Sequence, residues 1–98
     1  MARLEYDCEG EHNTFEIKEK CTLLGRGTET DLQFLKDTEL SRKHCSILML
    51  DSTNYLLRDD ASTNGTFLND QAIEPSSPIP LQDNDEIHIG NTYLTFHK

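Results

Sequence analysis

The sequence predicts an all-β sandwich, and three observations support this fold class. Its apolar residues occur in short runs, and most of these runs alternate with polar residues, as in strands with one buried face. Clusters of glycine, asparagine, aspartate, serine and proline separate the runs at short intervals. No segment shows a sustained helical period. Short strands with frequent turn signals are typical of two packed antiparallel sheets.

The first half of the chain contains five candidate strands. Leu4 and Tyr6 alternate with charged residues in the first, and Phe15 and Ile17 share one face of the second. The run 44–50 is the most apolar of the chain, which predicts a central strand. The strands predicted in this half are 2–8, 14–18, 21–24, 31–34 and 44–50, with turns at 9–13 and 25–27 and a loop at 36–39.

The second half predicts two hairpins and several shorter elements. The polar turn 51–54 returns the chain into the strand 55–59. The Gly-Asn pair at 90–91 separates the alternating runs 86–89 and 92–96, which is a strong signal for a two-residue hairpin turn. The remaining elements are strands at 66–68 and 71–73, turns at 60–65, 69–70 and 81–85, and a Pro/Ser-rich loop at 74–80.

Length and charge limit the possible functions. The 98 residues predict a single domain, 1–98. Eighteen acidic residues against nine basic ones give a formal net charge of -9, which argues against nucleic-acid binding and against adhesion to an anionic membrane. No run approaches the ~18 apolar residues of a transmembrane helix. Because the N-terminus lacks the apolar core of a signal peptide, we expect an intracellular location, cytoplasmic or nuclear.

The three cysteines, Cys8, Cys21 and Cys45, do not predict a disulfide scaffold. Their number is odd and too small for one, so we expect small buried or half-buried apolar residues. Neither a Cys-x-x-Cys nor a His-x-x-x-His spacing occurs. We therefore expect no metal site and no cofactor.

A catalytic interpretation would use Ser41 as nucleophile, His44 as base and Asp59 as the orienting carboxylate. Ser41 and His44 lie three residues apart at the entrance of a strand, where their side chains are expected to diverge. The sequence also lacks a nucleophile elbow of the Gly-x-Ser-x-Gly type. We therefore do not expect an enzyme.

A small cationic cluster precedes the predicted central strand. Ser41 is followed by Arg42 and Lys43 in an otherwise acidic chain. Arginine offers a planar fork of donors and serine a rotatable hydroxyl, a combination that suits a tetrahedral oxyanion. By themselves these residues favour an ordinary solvated turn. The other turns of the chain change that interpretation.

Five motifs occur in a specific order along the chain. They are Gly-Arg at 25–26, Ser-Arg-Lys-His at 41–44, Ser-Thr-Asn-Gly at 62–65, Leu-Gln-Asp-Asn-Asp at 81–85 and Ile-His-Ile-Gly at 87–90. Each motif is weak alone, but the ordered set resembles the forkhead-associated (FHA) domain family over nearly the whole chain. The resemblance implies about eleven short strands in two twisted, mostly antiparallel sheets, with ligand loops at one end. It also implies a module that is monomeric in isolation and binds a phosphothreonine-containing protein or peptide.

The resemblance assigns a role to each residue of these loops. His44 is expected to tie loops together through its ring nitrogens, and Asn64 to pair with the peptide backbone. Thr63 is also expected to help select phosphothreonine over phosphoserine. The pair Asp59 and Asp60 should cap the 60–65 turn. The expected phosphate contacts are Arg26, Ser41, Arg42 and Thr63, the backbone contact is Asn64, and the structural motif residues are Gly25, His44 and Gly65.

Structural alternatives stay open for the ligand residues. Arg26 could brace the loops against a carboxylate such as Asp31, and Ser41 could cap a turn. Arg42 could be an ordinary solvated arginine, and Asn64 could serve only as the first residue of an Asn-Gly turn. A second functional alternative is an FHA-like domain that binds a protein partner through a sheet face, without phosphate.

The loop 36–40 is, by the same resemblance, one that reads the ligand residue three places after the phosphothreonine. Asp37 and Glu39 outnumber Lys36 there. A ligand carboxylate at that place would meet like charge, at a cost of about 1 kcal/mol for charges near 4 Å in water. The sequence therefore predicts that acidic residues are disfavoured and that basic or apolar ones are accepted, with Leu40 as the apolar surface if it faces the groove.

Overall fold

The computed structural model describes residues 2–98, which form eleven strands and contain no helix. No helix in this range is therefore long and apolar enough to cross a membrane. The strands are β1 (Arg3–Cys8), β2 (Glu11–Glu16), β3 (Cys21–Gly25), β4 (Leu32–Gln33), β5 (Cys45–Met49), β6 (Tyr55–Asp59), β7 (Thr66–Leu68), β8 (Gln71–Ala72), β9 (Ile79–Leu81), β10 (Glu86–Ile89) and β11 (Thr92–His97).

The strands form two sheets. The six-stranded sheet has the order β2-β1-β11-β10-β7-β8, and the five-stranded sheet has the order β4-β3-β5-β6-β9. All strand pairs are antiparallel except β3 with β4. The predicted all-β sandwich with about eleven short strands is confirmed. The predicted central strand is β5, which lies in the middle of its sheet.

The core lies between the two sheets because alternate residues of several strands, such as β6, β7, β10 and β11, face inward. Fully buried Leu4 and Phe96 are cross-strand partners in one sheet, and Ile47 and Leu57 are partners in the other. Burial of each such side chain contributes about 1.5–3 kcal/mol. The buried apolar residues are Ala2, Leu4, Ile17, Leu24, Leu32, Phe34, Leu40, Cys45, Ile47, Tyr55, Leu57, Leu68, Leu81, Ile87, Ile89, Leu94 and Phe96.

Two local predictions are wrong. The loop predicted at 74–80 ends in β9, in which Pro80 pairs with Leu56. Proline gave a loop signal, but β9 is an edge strand, where a missing N–H removes no central ladder bond. The turn predicted at 9–13 contains only Glu9 and Gly10, whose φ values of 51° and 81° suit a tight hairpin turn.

The expectation of buried or half-buried cysteines is correct for one residue only. Cys45 is fully buried, and burial raises the pKa of its thiol well above the ordinary value. Cys8 and Cys21 are exposed. Cys21 points outward because its neighbour Thr22 is buried, and Cys8 lies at the end of β1, beyond the core.

Within residues 2–98 there is no group of three or more histidine, cysteine, aspartate or glutamate residues that could hold a metal ion.

Candidate functional site

Three loops meet at one end of the sandwich and enclose a shallow depression of about 420 Å³. These are the β3–β4, β4–β5 and β6–β7 loops. A larger depression of about 530 Å³ lies at the edge strands β8 and β9, but no lysine or arginine lines it. The loop depression is lined by Arg26, Thr38, Glu39, Leu40, Ser41, Arg42, Thr63 and Asn64. It contains every residue that the sequence predicted as a ligand contact.

Gly25 allows two of these loops to approach each other closely. The main-chain N–H of Arg26 donates to the carbonyl oxygen of Ser41 at 3.1 Å. The main-chain N–H of Gly27 donates to the carbonyl oxygen of Arg42 at 3.0 Å. A Cβ atom at position 25 would overlap the main-chain carbonyl group of Arg42. Only glycine therefore permits the pairing that places Arg26 beside Ser41.

The half-buried Arg26 side chain braces a loop through one nitrogen only. Its Nε donates to the carbonyl oxygen of Leu40 at 3.1 Å. The carboxylate suggested as an alternative partner, Asp31, instead accepts from the main-chain N–H of Leu23 at 2.8 Å. The two terminal amino groups of Arg26 make no hydrogen bond within residues 2–98. One side chain therefore has a bracing role and still has donors for a ligand.

Ser41 joins the β4–β5 loop to the β6–β7 loop. Its Oγ accepts from the main-chain N–H of Thr63 at 2.9 Å and lies 3.4 Å from the Thr63 hydroxyl oxygen. Ser41 therefore caps a group on another loop, 22 residues away, and not its own turn. At this distance the hydrogen bond from the Ser41 hydroxyl to the Thr63 hydroxyl is weak. The Ser41 hydroxyl can therefore rotate and donate its proton to an anion.

The His44 ring is fully buried and joins the β4–β5 loop to the β6–β7 loop. Its Nδ1 accepts from the main-chain N–H of Ser41 at 3.0 Å, so Nε2 carries the proton and donates to the carbonyl oxygen of Gly65 at 2.8 Å. Because both ring nitrogens bind main chain, His44 does not activate the Ser41 hydroxyl. Asp59 bonds to other residues, so these three do not form a nucleophile, base and orienter.

The β6–β7 loop is built around Asp59, which is 1% exposed. Its carboxylate accepts from the Ser62 hydroxyl at 2.5 Å, the Ser62 main-chain N–H at 3.2 Å and the Thr66 hydroxyl at 2.6 Å. Asp60 instead pairs with Arg58 at 2.6 Å. Of the two aspartates expected to cap this turn, the structure therefore places only Asp59 in that position.

Asn64 reaches across the depression to the opposite loop. Its side-chain N–H2 donates to the carbonyl oxygen of Glu39 at 2.8 Å and to the Glu39 carboxylate at 3.0 Å. Its side-chain carbonyl makes no hydrogen bond within residues 2–98. Gly65 follows with a φ of 89°, a conformation that glycine adopts without strain, and the chain bends at Asn64. Asn64 thus lies at a bend and borders the site with its carboxamide.

Two arginines border the site, and acidic residues lie beside them. Arg42 lies 3.8 Å from the Glu29 carboxylate, but its side chain is 70% exposed, so this ion pair is worth no more than about 1 kcal/mol. The guanidinium groups of Arg26 and Arg42 both border the depression. At physiological ionic strength charges beyond about 8 Å are screened, so the field in the depression is set by these two groups and by the nearby carboxylates of Glu39 and Glu29, and not by the distant acidic residues of the chain.

Asp37 positions the β4–β5 loop, a role that the sequence did not reveal. Its carboxylate accepts from the main-chain N–H of Asn91 at 2.8 Å, the Thr92 hydroxyl at 2.7 Å and the main-chain N–H of Glu39 at 3.1 Å. It therefore clamps the loop onto the β10–β11 hairpin. Leu40 is 2% exposed and belongs to the core, so the condition for an apolar ligand surface there, a side chain that faces the groove, is not met.

Acidification tests the Asp37 clamp. Burial opposes ionisation of Asp37, but the hydrogen bonds from Thr92, Asn91 and Glu39 together outweigh it and lower its pKa below the ordinary 3.8. Because the folded-state pKa lies below the unfolded one, the clamp contributes fully above the unfolded pKa and is lost as the pH falls through the folded pKa. In urea titrations we expect stability to fall more steeply between about pH 5 and 2 in the wild type than in Asp37→Ala.

The control for this prediction is Glu19→Ala, which removes an exposed carboxylate that makes no hydrogen bond within residues 2–98. This variant should keep the pH slope of the wild type. If Asp37→Ala also follows the wild-type slope, the clamp contributes nothing to stability.

Comparison with known proteins identifies the family. The model of the FHA domain matches residues 22–90. The chain belongs to the FHA family. The yeast (Saccharomyces cerevisiae) serine/threonine-protein kinase RAD53 is 40% identical over 79 residues, a match that covers 76% of this chain and 10% of RAD53. Human E3 ubiquitin-protein ligase CHFR is 31% identical over 81 residues, covering 83% and 12% of the two chains. The match therefore spans only about a tenth of each of these relatives.

Solved FHA domains have the same fold. One, from a study of phosphothreonine-dependent FHA domain interactions, is 30% identical with a TM-score of 0.88, and the match covers 99% of this chain and 95% of that one. The MEK1 FHA domain in complex with a HOP1 phosphothreonine peptide is 26% identical with a TM-score of 0.79, covering 98% and 94%. The sandwich expected for this FHA domain is thus the observed one.

Proposed function

We propose that residues 1–98 form one FHA module that binds a phosphothreonine-containing segment of a partner protein in an intracellular signalling assembly. The observation that carries this proposal is the set of unused donors in the loop depression. The terminal amino groups of Arg26 and the rotatable hydroxyl of Ser41 border the same space, and Arg42 lies at its edge. The phosphopeptide complex of the MEK1 FHA domain supports the same ligand class. The proposed activity is binding, with neither catalysis nor a cofactor.

Two of the proposed phosphate contacts, Arg26 and Ser41, are each held in place by a hydrogen bond to another loop. Arg26 is held by its Nε, so its two terminal amino groups are oriented before the ligand arrives. Ser41 is held by the Thr63 N–H and donates its own proton to a phosphate oxygen. Each charge-assisted hydrogen bond contributes about 1.5–3 kcal/mol, and a micromolar complex requires about 8 kcal/mol in total. Two or three such bonds therefore account for discrimination against an unphosphorylated peptide.

Asn64 is proposed to hold the peptide backbone beside the phosphate. A carboxamide donates and accepts at once, which matches a main-chain peptide group. Its carbonyl is unused within residues 2–98, and its N–H2 group rests on Glu39. Binding through the carbonyl leaves this contact intact, whereas binding through the N–H2 group would displace Glu39.

A phosphothreonine peptide library, compared with the same library lacking phosphate, tests the proposal. We expect enrichment only of phosphorylated sequences, and we expect the affinity of a selected peptide to fall as salt rises because phosphate contacts are charged. A protein that binds plain and phosphorylated peptides equally would instead use a sheet face, which is the phosphate-independent alternative.

We expect a phosphothreonine peptide to bind several-fold better than its phosphoserine twin. The extra methyl group is worth up to about 0.8 kcal/mol on transfer from water, and contact with Thr63 at the depression can add to it. Calorimetric titration of the two peptides measures the ratio. Equal affinities would show that no surface of the site contacts the methyl group.

We also expect this domain to disfavour aspartate or glutamate three places after the phosphothreonine and to accept lysine or arginine. Asp37 is turned to the β10–β11 hairpin, so the effect rests on Glu39, whose carboxylate lies 3.0 Å from the Asn64 amide nitrogen at the depression. A peptide array scanned at this one position measures the preference. Glu39→Lys should reverse it, with Glu19→Lys as the matched control. An aspartate preference in the wild type would show that another loop reads this position.

A further inference from the structure

The outer face of the six-stranded sheet carries a row of rings that the proposed function does not use. Phe67 on β7, His88 on β10 and Tyr93 on β11 are successive cross-strand partners. The rings of His88 and Tyr93 are stacked, with centroids 4.0 Å apart and planes 2° apart. The Phe67 ring lies 5.8 Å from His88. We call these three residues the aromatic row.

The aromatic row ends on an exposed tyrosine. Tyr93 is 54% exposed, one of few large apolar side chains on the surface of residues 2–98. His88 covers one face of its ring, so the opposite face is directed toward β1. The register pairs Tyr6 with Leu94, which puts Asp7 beside Tyr93 in the same row.

By extension of this register, Asp7 is the acidic residue of β1 opposite Tyr93. Its side chain is 80% exposed, and its Oδ1 lies 3.1 Å from Nδ1 of His12. Its Oδ2 makes no hydrogen bond within residues 2–98. The strand alternation puts an excess of acidic residues on this outer face: Glu5, Asp7, Glu16 and Glu86, against Arg3 as the one arginine or lysine and the histidines His12, His88 and His97.

Charge and ring geometry together select the chemistry of the partner. An acidic segment would be repelled, and a purely apolar one would bury the Asp7 carboxylate with its Oδ2 unpaired, which is costly. A guanidinium group is planar, stacks on an aromatic face and pairs with a carboxylate at the same time. A lysine ammonium group supplies the charge but not the planar stack.

We propose that this face docks an arginine-bearing segment of a protein partner, with one guanidinium stacked on Tyr93 and paired with Asp7. The surface lies on the sheet face and not on the loops that hold the phosphopeptide. A partner can therefore contact both surfaces at once, through a phosphothreonine and through a separate basic segment. Sheet stabilisation by cross-strand ring contacts is the competing explanation of the aromatic row.

An NMR titration separates the two explanations. The ¹⁵N-labelled domain is titrated with an unphosphorylated peptide of alternating arginine and glycine, and with twins that carry lysine or citrulline in place of arginine. We expect shifts centred on the amides of Asp7, His88 and Tyr93. The lysine twin should bind about threefold more weakly, because it lacks the stack, and the citrulline twin should not bind. Shifts centred on the loop depression, or equal binding of the arginine and lysine peptides, would overturn the proposal.

Two variants and a control complete the experiment. Tyr93→Leu removes the ring and Asp7→Asn removes the charge. Each variant should bind the arginine peptide with about fivefold lower affinity than the wild type. Glu16→Gln removes one carboxylate elsewhere on the same face and should leave affinity within about twofold. Equal losses in all three variants would indicate general charge attraction and contradict the proposal. Phosphopeptide affinity should be unchanged in Asp7→Asn, so the test is independent of the phosphate site.

Discussion

Arg26→Ala is expected to reduce phosphopeptide affinity by about a hundredfold or more while the domain stays folded. The substitution removes two terminal amino groups that border the depression, and each charge-assisted hydrogen bond to phosphate is worth about 1.5–3 kcal/mol. It also removes the Nε bond to the Leu40 carbonyl, at a cost of about 1 kcal/mol in unfolding free energy. Calorimetric titration gives the first effect, and thermal melting gives the second.

Two further variants separate the ligand role of Arg26 from its bracing role. Arg26→Lys keeps the positive charge but loses the planar fork of donors. Its affinity for the phosphopeptide should therefore fall below that of the wild type, although the charge attraction to phosphate remains. Arg3→Ala removes a half-exposed arginine from the outer face of the six-stranded sheet and should leave binding unchanged. Affinity of Arg26→Ala within twofold of the wild type would contradict a phosphate contact. An unfolded variant would show that bracing is its larger role.

His44→Ala is expected to destabilise the domain by about 2–5 kcal/mol, whereas Arg42→Ala should change stability by less than about 0.5 kcal/mol. The histidine ring is fully buried, and its loss leaves the Ser41 N–H and the Gly65 carbonyl without partners. Arg42 is 70% exposed and makes only a long ion pair. Chemical denaturation of both variants measures the difference.

His44→Gln provides the control for cavity formation because it fills part of the volume and retains a donor and an acceptor. It should recover some of the stability lost in His44→Ala. Equal melting temperatures for His44→Ala and Arg42→Ala would contradict the role of His44 as the connection between loops.

Most strands could be predicted from the sequence because their alternation is local information. The run that became β5 and the hairpin at 90–91 both followed from residues within a few positions of each other. β9 was missed because Pro80 gives a loop signal, and only its edge position in the sheet makes a strand compatible with it. Whether a strand lies at the edge or in the centre depends on the assembled sheet. Local sequence patterns do not contain this information.

The members of the candidate site were predicted from ordered motifs, but their connections were not. Two of the partners of Asp37, Asn91 and Thr92, lie 54 and 55 residues away along the chain. The contact between Asn64 and Glu39 likewise spans 25 residues. No local pattern marks such pairs. The sequence also left open whether Leu40 faces the groove, because its burial depends on the same long-range packing. The roles assigned to Arg26, Ser41, Thr63 and Asn64 stay predictions.

The most direct test of phosphothreonine binding at this depression is an NMR titration of the ¹⁵N-labelled domain with one library-selected peptide. The peptide is supplied in its phosphothreonine and plain threonine forms. We predict saturable shifts at the amides of Arg26, Ser41, Thr63 and Asn64 with the phosphorylated form, and none with the plain form at the same concentrations. Equal shifts with both forms, or shifts centred outside this depression, would contradict the account.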